Sequence, residues 1–170
     1  MTLDNALARF DSLPPIDTGF MLGRWKGSEV PTGHPLDGLL ALSGWYGKAF
    51  VSEEDVHPLL FHGRGDRVFA VNPGRVPLGL VGTVRPPSFL HSIVPLLRPV
   101  IGTRRSRARL RMVTYRGVTS AAMCYDQLPI IDSFRKLDES RVLGAMDQKG
   151  SPTPYLFMLE RDDTPLKVSV

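Results

Sequence analysis

Cysteine is almost missing from the chain: Cys124 stands alone among 170 residues. An internal disulfide framework is therefore excluded, which fits a reducing compartment. The opening residues, Met1-Thr2-Leu3-Asp4-Asn5, carry no basic stretch followed by an apolar core. That argues against a secretory signal and for a cytoplasmic protein. Uninterrupted apolar runs of ~20 residues, the length of a membrane span, are also missing. The longest candidate, Val76 to Ile101, contains Arg85, Arg98 and five prolines. Metal-ligand spacing is lacking too. His34, His57, His62 and His91 match no pattern such as H-E-x-x-H, and Cys124 has no CxxC partner, so neither a metal nor another cofactor is expected. Arg64-Gly65-Asp66 reads as a plain Gly-rich turn.

What is present describes one globular domain spanning residues 1–170. The chain is long enough to bury a sizeable core. Its apolar share of 42% and charged share of 22% argue against disorder. The net charge of +4 conceals an asymmetry. From Arg67 to Tyr125 there are ten arginines, no lysine and no acid, leaving eleven basic residues against seventeen acids elsewhere. Such a split suits an anionic partner, or a fold whose two halves neutralise each other.

Leu3, Ala6, Leu7 and Phe10 mark an amphipathic helix over 2–13, ended by Pro14-Pro15. Phe20 to Lys26 reads as a strand closed by Gly27, Leu36 to Leu42 as a turn or two of helix, and Gly44 to Val51 as a strand. Ser52 followed by Glu53-Glu54-Asp55 resembles a helix N-terminus, which His57-Pro58 keeps short. Arg67 to Asn72 is a strand and Val76 to Val84 another. Pro86-Pro87-Ser88 starts a helix through Val94, which Pro95 and Pro99 distort or end. The strand signal is strongest in five C-terminal runs: Arg105 to Tyr115, Val118 to Asp126, Ile130 to Leu137, Arg141 to Asp147 and Tyr155 to Arg161. Their short connections imply antiparallel neighbours, and about nine or ten strands suffice to close a barrel.

Periodicity separates faces. Arg105, Arg107, Arg109 and Arg111 alternate with Ser106, Ala108, Leu110 and Met112, giving one cationic face and one buried face. Val118 to Tyr125 and Tyr155 to Leu159 are apolar or small on both faces. Such strands need two covers: a barrel interior, hollow or packed solid, and a helix or a second subunit, which makes a homodimer plausible.

Gly23-Arg24-Trp25-Lys26-Gly27 is G-x-W-x-G, followed by Thr32-Gly33-His34-Pro35-Leu36-Asp37-Gly38 and Gly44-Trp45-Tyr46-Gly47-Lys48. The second half adds Ala108-Arg109-Leu110-Arg111-Met112, Tyr115-Arg116-Gly117, Leu128-Pro129-Ile130-Ile131-Asp132-Ser133-Phe134-Arg135 and Gly144-Ala145-Met146-Asp147-Gln148-Lys149-Gly150. Together these resemble the bacterial GXWXG family with its companion domain of unknown function. The resemblance covers about residues 20–75 and 103–163 and leaves 76–102 as a variable, lid-like segment. It implies a mainly β, lipocalin-like (calycin) antiparallel barrel with a few short helices. It also implies that Trp25, beside Gly23, closes one end of the barrel under a basic residue of the last strand, here Arg161, through a cation–π contact. The chain has neither the disulfide nor the Thr-Asp-Tyr turn of secreted lipocalins.

Asp132 shares a strand face with Ile130 and Phe134, so its carboxylate points into apolar surroundings, where its pKa rises unless it is paired. It could bind a polar ligand head, act as an acid or base, or be a structural Asp. Tyr125 could offer a hydroxyl or simply fill the sheet. His34 and Asp37 sit in a Gly/Pro loop, at a cavity mouth or on an ordinary turn. Trp45 and Lys48 line a cavity or belong to the core. With Phe134 and Met123, these residues suggest a site for a small apolar or amphipathic ligand, such as a fatty acid or polar lipid. Pro87 to Val100 would serve as a lid or membrane-facing portal. Two alternatives stay open. One is a small-molecule isomerase or hydratase using Asp132 and Tyr125. The other is an interaction module docking an anionic partner on the face of Arg105, Arg107, Arg109 and Arg111. That face lacks the stacking aromatics of single-strand binders, which argues against nucleic acid.

Overall fold

The computed structural model describes residues 1–65, 67–76, 90–165 and 167–169. Beyond Val76, the strand expected to Val84 lies outside them, as does the helix start expected at Pro86 to Phe89. Ten strands form among the described residues: β1 Gly23–Glu29, β2 Trp45–Phe50, β3 Val56–His62, β4 Arg67–Ala70, β5 Ala108–Tyr115, β6 Val118–Tyr125, β7 Ile130–Lys136, β8 Arg141–Gln148, β9 Tyr155–Arg161 and β10 Lys167–Ser169. They make one sheet in the order β10-β4-β3-β2-β1-β9-β8-β7-β6-β5, and β3 pairs back onto β5 at Val56 opposite Ala108. β1 to β9 are antiparallel to their neighbours, whereas β10 adds to β4 in parallel. The sheet is therefore ring-like. Its closure is brief, strengthened by backbone bonds from Arg107 to Val56 and from Leu110 to Glu53.

The five C-terminal strands lie where alternation and turn residues place them, except that β5 begins at Ala108, three residues later than expected. Arg105 and Arg107 therefore precede the strand. Met112, expected on the buried face, is 48% exposed, because past Leu110 β5 has no β3 residue beside it. Phe20 and Met21, expected to open the first strand, instead lie in a helical turn. This turn, α2 (Thr18–Met21), starts where Asp17 Oδ1 accepts from the Phe20 N–H. β1 follows only at Gly23 and runs through Gly27 to Glu29. No helix starts at Ser52. Its hydroxyl accepts from Glu54 and Asp55 N–H in a tight turn that opens β3, a strand the sequence reading missed. Pro58 sits inside β3, where the β2–β3 register shifts and no ladder donor is required of it.

The helix α1 (Leu3–Ser12) is capped by Thr2, whose hydroxyl accepts from the Asn5 N–H. It lays Ala6 and Phe10 on the outer face of β8 and β9, against Leu143, Ala145 and Leu156. Burying a ring such as Phe10 is worth about 1.5–3 kcal/mol. α1 thus gives the twice-apolar β9 its outer cover. The Arg135 guanidinium lies 4.7 Å from the centre of the Phe10 ring and donates to the carbonyls of Tyr115 and Val118.

A 3-10 turn over Pro73–Arg75 and three short helices complete the described chain: α3 (Leu39–Ser43), α4 (Leu90–Ile93) and α5 (Arg98–Ile101), the last two joined by a second 3-10 turn. Pro95 and Pro99 stand in the first turns of the segments they open, where a missing N–H costs nothing. Among the described residues, no helix is long and apolar enough to cross a membrane.

Candidate functional site

Most of the ring's interior is filled by one cluster that includes Trp25, Phe50, Leu110, Met123, Phe134, Phe157 and Leu159. At one end the packing is incomplete. A cavity there has a volume of about 60 Å³, room for roughly five water-sized groups. Leu36, Leu39 and Leu40, all partly exposed, line its outer part; Trp45, Leu59 and Phe157 form the buried part.

Two glycines make the aromatic walls fit. A Cβ on Gly27 would overlap the Trp45 ring, and one on Gly144 would overlap Phe157. The G-x-W-x-G residues therefore serve both ends of the ring. At the far end, about 13 Å along β1 from Glu29, Trp25 donates its indole N–H to Met21 O. Arg161 lies 4.3 Å from the Trp25 ring centre and bonds Leu22 O and Phe20 O. At the cavity end, the Glu29 carboxylate accepts from the Gly38 and Leu40 N–H groups and so fixes the start of α3, which carries Leu39 and Leu40 to the cavity.

The cavity holds one ion pair. Asp132 is 0% exposed and Lys48 3%, with Lys48 Nζ 2.9 Å from Asp132 Oδ2. The approach is close but poorly aligned for a hydrogen bond, and Asp132 Oδ1 has no donor among the described residues. Lys48 Nζ also donates to Pro58 O at 3.1 Å. It faces the rings of Phe157, Tyr125 and Trp45, at 5.1, 5.7 and 5.8 Å. Burial pushes the Asp132 carboxyl above its usual value, and the Lys48 charge draws part of that back.

Lys48 reaches the cavity because of a bulge. Residues three apart on a regular strand face opposite sides, yet Trp45 and Lys48 line the same space. The β2–β3 register shifts on both sides of Gly47, whose φ of +147° suits glycine, and a Cβ there would overlap Trp25 O. The same irregularity leaves the Pro58 carbonyl free to accept from Lys48.

The other sequence-identified residues separate. Tyr125 is half-buried and lines the cavity. Burial first, and then the Asp132 charge, push its hydroxyl pKa well up. Met123 pairs across the sheet with Asp132 and, like Phe134, lies in the filled core, not on the cavity wall. His34 is one layer back, edge-on to Tyr155 at 5.4 Å. Its Nδ1 accepts from the Leu36 N–H, and burial lowers its pKa. Asp37 Oδ2 accepts three backbone N–H bonds and organises this loop.

Tyr155, Met146 and Gln148 line the cavity without having been singled out. The Tyr155 hydroxyl has no well-formed hydrogen bond, although Glu29 is near enough to add to the rise that burial causes in its pKa. No described residue of 90–101 lines the cavity; α4 packs instead on α3. Leu96, Leu97 and Val100 of that segment are exposed. On the arginine face, Arg111 pairs with Glu54 at 2.6 Å and Arg109 approaches Asp126 at 3.9 Å. No group of three or more metal-ligating side chains occurs among the described residues.

These features define a class: mainly β proteins in which a ring-like antiparallel sheet surrounds a filled interior that leaves a small pocket at one end. The chain belongs to the GXWXG family. The GXWXG protein model matches residues 8–65, and the model for a domain of unknown function (DUF4334) matches residues 106–161. A crystal structure of a protein from Thermomonospora curvata is similar, with a TM-score of 0.65 and 32% identity, covering 95% of this chain and 88% of that one. No curated protein matches the chain.

Proposed function

We propose that the protein binds a small, mostly apolar molecule in the cavity, with the molecule's polar end against Lys48 and Asp132. One observation carries this reading: a buried carboxylate with no hydrogen-bond donor among the described residues lines an apolar space that partly exposed residues also line. A buried ion pair recovers its desolvation cost only when the remaining lone pairs are satisfied, and a ligand would supply the missing contact. The present room is well below the ~300 Å³ of a usual ligand site. The molecule is therefore short, and a full-length fatty acid requires Leu36, Leu39 and Leu40 to move. We further infer a calycin-type barrel, supported by the β3–β5 closure and by Arg161 over Trp25 at the start of the first strand.

Native mass spectrometry of gently extracted protein tests the binding reading. A bound small molecule, lost on Asp132→Leu, supports it. Repeatedly empty protein that takes up no small amphiphile rejects it. A second reading, acid–base catalysis on such a molecule, draws on the convergence of Asp132, with its raised pKa, and Tyr125 on one cavity. It requires Asp132→Asn to retain binding and lose turnover.

A further inference from the structure

Among the described residues, Lys48 and Asp132 are the only charged side chains lining the cavity, and their charges offset each other. From this balance we infer that the site selects a neutral head group that both donates and accepts a hydrogen bond: a hydroxyl, not a carboxylate or an amine. The inference rests on the binding reading above and narrows it to short alcohols.

The reasoning is an inventory of donors and acceptors. Lys48 has three N–H donors; Pro58 O accepts one, and Asp132 Oδ2 lies 2.9 Å away without the alignment to accept another. At least one donor therefore remains for a ligand oxygen. Asp132 Oδ1 is an acceptor without a donor, so it requires a ligand O–H or N–H. A hydroxyl satisfies both with a single atom. A ligand carboxylate could accept from Lys48 but would leave two anions and one cation in a dry space, with Asp132 Oδ1 still lacking a donor. A ligand ammonium would do the reverse, placing two cations beside one anion. Uncompensated buried charge is what such sites reject most strongly. An ether accepts from Lys48 and offers Asp132 nothing.

The two tryptophans provide a reporter and a control for the test. Trp45, whose indole N–H has no partner among the described residues, lines the cavity. That of Trp25, bonded to Met21 O, lies at the other end of the ring. Four probes of five heavy atoms each are titrated into isotope-labelled protein at pH 7.5: butan-1-ol, 1-methoxypropane, propanoate and butan-1-amine. The Trp45 indole resonance should shift with the alcohol and the Trp25 resonance should not. The alcohol should bind about tenfold or more tighter than the ether, the worth of one hydrogen bond to a charged group. Propanoate and the amine should bind more weakly still. In Asp132→Asn, which leaves Lys48 as the sole charge, propanoate should become the tightest of the four.

Propanoate or the amine matching the alcohol in the wild type would overturn the hydroxyl inference and leave the binding reading standing, as would an ether as tight as the alcohol. Silence of Trp45 toward all four probes would remove the binding reading itself. Should Asp132→Asn fail to fold, the wild-type series decides alone.

Discussion

Replacing Lys48 by Met keeps much of the side chain's volume and removes the only cation that faces Asp132 within the cavity among the described residues. In the folded variant the carboxyl, 0% exposed, must either remain charged and unpaired or take up a proton. Protonation is the less costly route, and its cost at pH 7 is set by the distance from the unfolded value near 3.9. About three pH units at about 1.4 kcal/mol each give about 4 kcal/mol, in line with the ~3–5 kcal/mol of breaking a buried pair. The sign follows from a folded pKa raised above the unfolded one. The folded state holds the extra proton, so stability is retained at and below about pH 4 and lost as pH rises toward the folded pKa. Urea unfolding of K48M at pH 4, 5, 6 and 7, followed by tryptophan fluorescence, should show a decline of up to about 1.4 kcal/mol per unit. The wild type should decline less over the same range, because Lys48 holds part of the Asp132 pKa down. Adding Asp132→Leu to K48M should remove this decline. A K48M protein equally stable at pH 4 and pH 7 would refute the buried pair.

Gly47→Ala places a Cβ against Trp25 O in a backbone conformation that alanine avoids. It should cost at least about 2 kcal/mol in urea unfolding and alter the Trp45 indole resonance as the bulge presenting Lys48 is lost. Arg161→Met removes a cation–π contact and two charged hydrogen bonds; a loss of about 2 kcal/mol and a changed Trp25 fluorescence are expected, with the cavity probes still binding. Asp162 is held below the usual carboxylate range. Burial alone would raise it, but hydrogen bonds from Thr164 and Tyr46 and the charge of Lys26 outweigh that. Its stabilisation is therefore present above about pH 4 and lost on acidification, so thermal melting from pH 5 down to pH 2 should fall more steeply in the wild type than in Asp162→Asn.

The strands from Ala108 to Arg161 were legible because their alternation is regular and Gly, Pro and Asp-Glu-Ser turns separate them. β3 was hidden by Pro58 and by an acidic run that imitates a helix start, since the register shift that accommodates the proline lies in its neighbour. Asp132 could be placed among apolar groups because β7 is regular. Its partner could not, because Lys48 sits three residues from Trp45 and only the bulge at Gly47 brings both to one side. Leu36, Leu39 and Leu40 were readable as a helical turn, but what they cover depends on Glu29, eleven residues before Leu40, accepting from the Gly38 and Leu40 N–H groups. Contacts of that kind leave no periodic mark.

Crystals pressurised with xenon test most directly whether small molecules can enter the pocket. The structure predicts a xenon atom among Leu40, Trp45 and Leu59, displaced when Gly27→Ala crowds Trp45. Crystals that bind xenon only elsewhere, or not at all, would contradict it.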